Sequence, residues 1–350
     1  MDLAQLKNAL SERKVIEDQT FDGTLITELD IFRPIFLNSH FKKCVFKNMK
    51  FKAAIFENCR FDEVYFEKVE MTINTFTACT FNKVHVVHSD WKSAVFNQNK
   101  IDGLIISDSN LALSDFKAEV LENCQFLNSD LSQSSFSQCR LIAVQMQNIQ
   151  WSRSTATEAS FERGNFSKVD MTACNFTGSR LSGVHFKQCN FFHCLLIKAK
   201  IDKVAFQDPA DIRHINCLQA TLNQLSLEKL TFFAAVFQEA KLTAVDFSQA
   251  QLSTANFVSA TIEDCLFNRC QLNNANFESA IIKDCDFQHS SLNAARFNYS
   301  QLSHCDFSQS EMNSASLHDT REHQVNWNIK SGEYMKKTDP DLLRAEQWST

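Results

Sequence analysis

Thirteen cysteines, ten histidines and a set of clustered carboxylates are the residues of this 350-residue chain with chemistry to offer. His193-Cys194 and His304-Cys305 have the adjacency of a thiol nucleophile beside a base. His85-Val-Val-His88 sets two imidazoles three residues apart, a spacing that suits a shared metal ion only where the backbone makes them converge. Cys265, Cys285 and Cys305 recur at one fixed interval and are candidates for crosslinking. Glu263, Asp264, Asp284, Asp286 and Asp306 repeat at a similar interval and would suit binding. What each group can do depends on the elements that hold it.

Those elements follow a period of five. Every fifth residue from Phe21 to Phe206 is apolar, and the series resumes one residue late at Ile212 and runs to Leu317. All 60 positions obey the rule, and 29 of the 32 phenylalanines sit on them. Neither a helix of period 3.6 nor a flat strand of period 2 produces this spacing. A chain that turns a corner every five residues and points its central side chain inward does.

The candidate chemistry mostly dissolves in that frame. Twelve cysteines, among them Cys44, Cys139, Cys194 and Cys305, fall two residues before a centre, and Cys217 is itself a centre. The same slot elsewhere holds Ala, as at Ala235, Ala240 and Ala255, so cysteine is used as a small inward apolar residue. In a Cys–His pair the thiol then faces in and the imidazole out. No C-x-x-C, phosphate-binding glycine loop, nucleophile elbow or H-E-x-x-H is present. No catalytic residue, cofactor or metal ion is expected.

Four such edges close a square coil, after which the same face comes round again. Sorted this way, one face reads Phe36, Phe56, Phe76, Phe96, Phe116, Phe136, Ala156 and Phe176, and the opposite face includes Phe46, Phe66, Phe126 and Phe166. The two faces between are expected to be aliphatic, with Trp91 and Trp151 among them. After the slip the alternation is strict, from Phe237-Leu242-Phe247 to Phe297. The face identities carry across the slip, so the extra residue near 207–211, with Pro209, is expected to bulge at a corner. About 15 coils at roughly 4.8 Å would give an all-β solenoid on the order of 70 Å long. Trp151 is expected to fill the space left by Ala156, and Glu119, charged in the small inward slot, marks the expected local distortion.

Ala255-Asn256-Phe257, Ala275-Asn276-Phe277, Leu292-Asn293-Ala294-Ala295-Arg296-Phe297 and Cys305-Asp306-Phe307 resemble the A-(D/N)-(L/F)-x-x unit of the pentapeptide repeat family. The resemblance covers about 300 residues and implies a right-handed quadrilateral parallel β-helix. It also implies, from some members, a C-terminal helix that pairs two copies tail to tail. Others of the family mimic duplex DNA and bind type II topoisomerases, DNA gyrase or topoisomerase IV, protecting them from quinolones or peptide toxins. Here the acidic residues from Glu263 to Asp306 would carry that role.

A solenoid needs covered ends. Leu3, Leu6 and Leu10 predict a capping helix within 1–20. The repeat is assigned to 21–317, and 318–350 to a C-terminal cap. There Asp339 and Pro340 have the types of an N-cap and first helical residue. Trp327, Leu342, Leu343 and Trp348 either seal the last coil or form a homodimer contact.

The net charge is −6, unevenly spread. Residues 41–100 carry +4, with Lys42, Lys43, Lys47, Lys50 and Lys52 close together, while 211–317 carry −5. No apolar run approaches the ~18 residues of a membrane span, and Met1 to Lys14 lacks the pattern of a secretory leader, so a cytoplasmic chain with no membrane or nucleic-acid partner is expected. The leading expectation is a non-enzymatic scaffold whose flat faces bind a protein. Topoisomerase binding is the second, and an accessory or cargo role in a bacterial secretion system the third.

Overall fold

A chain that turns every five residues must pay at its corners, and the backbone shows where. In the computed structural model, which describes residues 3–208 and 211–347, the residue two beyond each centre adopts the left-handed conformation. Asn38 has φ of 48°, Lys43 of 52°, Gln98 of 58° and Ser259 of 56°. Few of these corners are glycine, although a side chain there costs roughly 1–2 kcal/mol. Hydrogen bonds between coils offset the strain: the Asn38 amide donates to the Glu57 carbonyl at 2.9 Å and that of Lys43 to the Asp62 carbonyl at 2.8 Å. Each short strand pairs in parallel with the strand one coil away.

The chain divides into two compact units, 1–179 with 184–190 and 180–183 with 191–350. The first opens with helix α1 (Leu3–Ser11), whose Leu6 and Leu10 are buried. Ile16 pairs with Phe36, so the first coil begins one centre earlier than Phe21. From there the register is one coil per step: Phe36 lies beside Phe56, Phe56 beside Phe76, and Phe76 beside Phe96. The rings stack at 4.8, 5.1 and 5.2 Å, and the ladder continues through Phe116 and Phe136 at 4.3 and 4.8 Å.

The expectation of two aromatic and two aliphatic faces fails in these first coils. Phe21, Phe41, Phe61 and Phe81 form a further ladder at 5.1, 5.2 and 5.0 Å on a face read as aliphatic. Neighbouring faces both accept rings because they meet edge to face, as Phe36 and Phe41 do at 73° and Phe56 and Phe61 at 67°. That geometry is also the favourable one for two quadrupoles.

Ala156 interrupts the first ladder, and Trp151 repairs it. The indole sits edge-on to Phe136 at 5.3 Å and to Phe176 at 5.7 Å, the two rings on either side of the gap. Its Nε1–H donates to Ser134 Oγ at 3.2 Å, so the buried donor is satisfied.

The second unit contains the slip. Ile201 pairs with Leu222 and Asn216 bridges Leu195, one residue more than the usual spacing, which returns where Leu222 pairs with Leu242. Pairing resumes in register on both sides, and Pro209 lies outside the described residues. Beyond it two ladders alternate as expected. Phe237, Phe257, Phe277 and Phe297 stack at 5.0, 4.7 and 4.9 Å, and Phe247, Phe267, Phe287 and Phe307 at 5.1, 4.7 and 4.6 Å.

The backbone coil outlasts the apolar rule. Leu302 pairs with Glu322, Ser331 bridges Glu311, and Lys336 bridges Ser316, which makes one more turn after Leu317. Trp327 takes the next place in the ladder, stacked 4.6 Å from Phe307. Helix α2 (Pro340–Gln347) follows, capped by Asp339 Oδ1, which accepts from the amides of Asp341 and Leu342.

Candidate binding surface

All thirteen cysteines are buried and none forms a disulfide. Burial pushes the thiols of Cys124 and Cys139 up to about 12, far from the thiolate needed of a nucleophile. Many of the thiols donate to carbonyls of the preceding coil, as Cys139 does to Phe116 at 2.7 Å and Cys270 to Phe247 at 2.9 Å. Cys194 and Cys305 are buried while His193 and His304 are exposed, so neither pair can act together. His85 stacks on Tyr65 at 4.4 Å and His88 occupies an exposed corner. Among the described residues no group of three His, Cys, Asp or Glu could hold a metal ion.

Glu119 is the exception in kind. It is 1 % exposed, and its carboxylate accepts from the Asn99 amide at 2.8 Å and from Asn99 Nδ2 at 3.0 Å. Burial raises its pKa to about 7 against the lowering effect of those donors. The coil is not distorted there, contrary to expectation: Glu119 N still donates to Phe116 O, and its carbonyl accepts from Arg140 N at 2.9 Å. Asn99 supplies what a small apolar slot would have lacked.

The acidic residues gather along one edge of the second unit, but most of them have structural tasks. Asp286 Oδ1 accepts from the Gln288 amide and Asp306 Oδ1 from that of Ser308, both at 2.8 Å. Asn256 and Asn276 make the same bond to Val258 and Glu278 at 3.0 Å. At these positions the Asp or Asn before the centre closes the corner with its side chain, in an Asx-type turn. Burial pushes the Asp306 carboxyl up, but hydrogen bonds from Ser308, Gln288 and Asn326 outweigh it and hold the group below its ordinary range. Lys283 Nζ reaches Glu263 at 2.7 Å and Asp284 at 3.2 Å, and His304 Nδ1 lies 3.3 Å from Asp284. Asp264, at a left-handed corner, makes no ion pair among the described residues.

The lysines of the first unit are similarly engaged. Lys42 pairs with Asp22 at 3.0 Å, Lys47 with Glu67 at 2.9 Å and Lys50 with Glu70 at 3.1 Å. Lys43 and Lys52 make no ion pair among the described residues. At the C-terminal end, α2 is tied beside the coils: Tyr299 donates to Glu346 Oε1 at 2.6 Å, and the Asp339 amide donates to His318 Nδ1 at 3.2 Å. Trp327 continues the aromatic ladder, Leu343 is half-buried, and Leu342 is exposed, so these three do not form one seal. Trp348 lies outside the described residues.

Two surface features escaped the sequence reading. Phe192, His193, His214 and Phe233 form a chain of ring contacts across three coils, with His193 and His214 stacked at 4.9 Å and Arg213 over Phe192. Leu25, Val45, Tyr65, His85 and Ile105 align one coil apart on the outside of a single wall. Both were visible in principle as outward residues one coil apart beside the centres. Among the described residues no helix is long and apolar enough to cross a membrane.

The family model described as Pentapeptide repeats matches in 8 copies, over residues 134–172, 170–208, 231–269, 270–309 and 290–321. No curated protein matches the sequence. Among solved structures, HetL, a pentapeptide repeat protein involved in heterocyst differentiation regulation in the cyanobacterium Nostoc sp. strain PCC 7120, is 16 % identical. It covers 62 % of this chain and 88 % of its own, with a TM-score of 0.30. QnrB1, a plasmid-mediated fluoroquinolone resistance protein, is 15 % identical over 60 % of this chain and 100 % of its own, with a TM-score of 0.21. Likeness at that level does not bear on what this chain binds.

Proposed function

The chain belongs to the pentapeptide repeat family, and from that premise we propose that it is a non-enzymatic scaffold whose outer β-walls bind a protein partner. One observation carries the reading: outward side chains are held in register from coil to coil. Gln251, Gln271, Ser291 and Glu311 form one such column in the second unit, and Asn256, Asn276, Arg296 and Ser316 another. Such columns make flat polar faces whose groups are fixed before contact, which lowers the entropy lost on binding. The test is affinity capture from the native host by the full chain. A stoichiometric protein, lost when Gln271 and Arg296 are replaced together by Ala in a protein that melts as wild type, supports the reading. Recovery of no stoichiometric protein contradicts it.

Binding of a type II topoisomerase by DNA mimicry is the second reading, favoured by the edge bearing Glu263, Asp264, Asp284 and Asp286. Lys283, paired with Glu263 and Asp284, offsets part of the negative charge of that edge. A supercoiling assay with gyrase, with and without a quinolone, tests it, and no effect at micromolar protein removes it.

A further inference from the structure

One wall of the first unit departs from the polar surface around it. Its outward columns are Leu25, Val45, Tyr65, His85 and Ile105, and beside them Thr27, Lys47, Glu67, Val87 and Ser107. Leu25 is 52 % exposed and Tyr65 46 %. A contiguous apolar strip of this kind on a soluble face marks an interaction surface, where single exposed apolar residues would not. Burial also pushes the His85 imidazole below its ordinary value, so at neutral pH it carries no charge that covering would have to desolvate.

The charges on the wall indicate what covers it. Among the residues of these two columns only Lys47 and Glu67 are charged, and they are paired to each other at 2.9 Å on adjacent coils. The opposite wall, with Ile35, Ile55 and Val95, carries Glu57, which makes no ion pair among the described residues and would be buried alone. Two columns whose only charges are one cation and one anion, displaced by a single coil, are complementary to themselves.

We propose that this wall is a homodimer interface, in which a second copy of the chain packs face to face about a twofold axis lying in the contact plane along the strand direction. Such an axis, placed between the coil of Phe46 and that of Phe66, reverses the order of coils. It sets Lys47 opposite Glu67 of the second copy twice over, Val45 opposite Tyr65, and Leu25 opposite His85. An axis running along the stack would instead put Lys47 opposite Val45 and leave both charges facing apolar atoms. Isologous contacts of this kind are the commonest route to dimers. The four coils that this axis brings opposite one another, at about 4.8 Å each, span roughly 19 Å, which falls at the small end of specific interfaces and makes a dissociation constant in the micromolar range the expectation.

Sedimentation velocity of the full chain, from about 1 to about 200 µM, tests this. The expected result is a monomer–dimer equilibrium that Tyr65→Asp abolishes. Lys47→Glu and Glu67→Lys should each weaken it by roughly tenfold, because each places like charges opposite one another twice. The double variant should recover wild-type association, and Leu342→Asp on α2 should leave it unchanged. Circular dichroism and melting of each variant must match wild type, which separates lost contact from lost fold. A monomer throughout the range overturns the proposal. So does a dimer indifferent to Lys47→Glu, one that the double swap fails to restore, or one removed by Leu342→Asp. None of these outcomes bears on whether a different protein binds the polar walls of the second unit.

Discussion

The Glu119 carboxylate accepts hydrogen bonds from both the backbone and the side-chain amide of Asn99, the residue in the same slot one coil behind it. An ionisable group thus replaces a small apolar residue without disturbing the stack. The arrangement has a pH signature.

Glu119 holds its proton in the folded state up to about pH 7, against an ordinary value of 4.5. Where the folded state binds more protons than the unfolded, stability falls as pH rises. The contribution should be fully present below the unfolded value, decline between about 4.5 and about 7, and be absent above. Glu119→Gln keeps the acceptor but cannot ionise. Its melting temperature should match wild type at about pH 4 and exceed it at about pH 8, by up to ~3 kcal/mol of stability. A constant difference across that range would show that ionisation of Glu119 is not coupled to folding.

Trp151 and Ala156 test the packing in the opposite sense from the repeat rule. Restoring the missing ring by Ala156→Phe looks like an improvement, yet the indole of Trp151 already fills the place. That variant should lose about 1–3 kcal/mol through overpacking. Trp151→Ala should lose about 3–5 kcal/mol through the cavity it leaves. Combining Ala156→Phe with Trp151→Leu should recover much of the loss, since the two sites share one space. Denaturant melts of the three proteins decide the matter.

Ile73 is a β-branched residue held at φ of 61° with 56 % of its surface exposed. It bears the corner strain with more than half of its surface in solvent. Ile73→Asn, and more so Ile73→Gly, should stabilise the fold by about 1 kcal/mol. Thermal melts that fall by a similar amount would mean the side chain makes contacts that matter.

Asp286 separates a structural carboxylate from a binding one. Read as exposed charge on an acidic strip, it could be truncated to Ala with little effect on folding. The bonds from Gln288 and Asn268 instead give Asp286→Ala a cost of about 1 kcal/mol. Asp286→Asn keeps the corner and should be near neutral in chemical denaturation. If Asn costs as much as Ala, the negative charge itself stabilises the edge.

Much of this fold is written in one number, the period of five. It places nearly every buried ring, assigns the cysteines to the interior, and locates the slip that appears as the lengthened offset between Ile201 and Leu222. It could not show that Phe21, Phe41 and Phe61 share a coil with rings on the neighbouring face, because edge-to-face packing relieves a crowding that volume alone would forbid. Nor could it show the coil after Leu317, where backbone pairing persists on polar centres such as Glu322. The surface was less legible for a different reason. An Asp before a centre closes a corner as Asn does, so its charge says little about a partner. The ion pairs that neutralise Glu263 or Lys47 depend on neighbours a full coil away along the chain.

The separation of a sealed interior from an outer surface open to binding is tested most directly by equilibrium unfolding of Phe267→Ala beside Gln271→Ala. Phe267 is fully buried between Phe247 and Phe287, whereas the Gln271 side chain is exposed four residues on. The expected loss is about 3–5 kcal/mol for the ring and within about 0.5 kcal/mol of zero for the amide. Equal losses at the two positions would contradict the assignment of which side chains hold the coils and which face a partner.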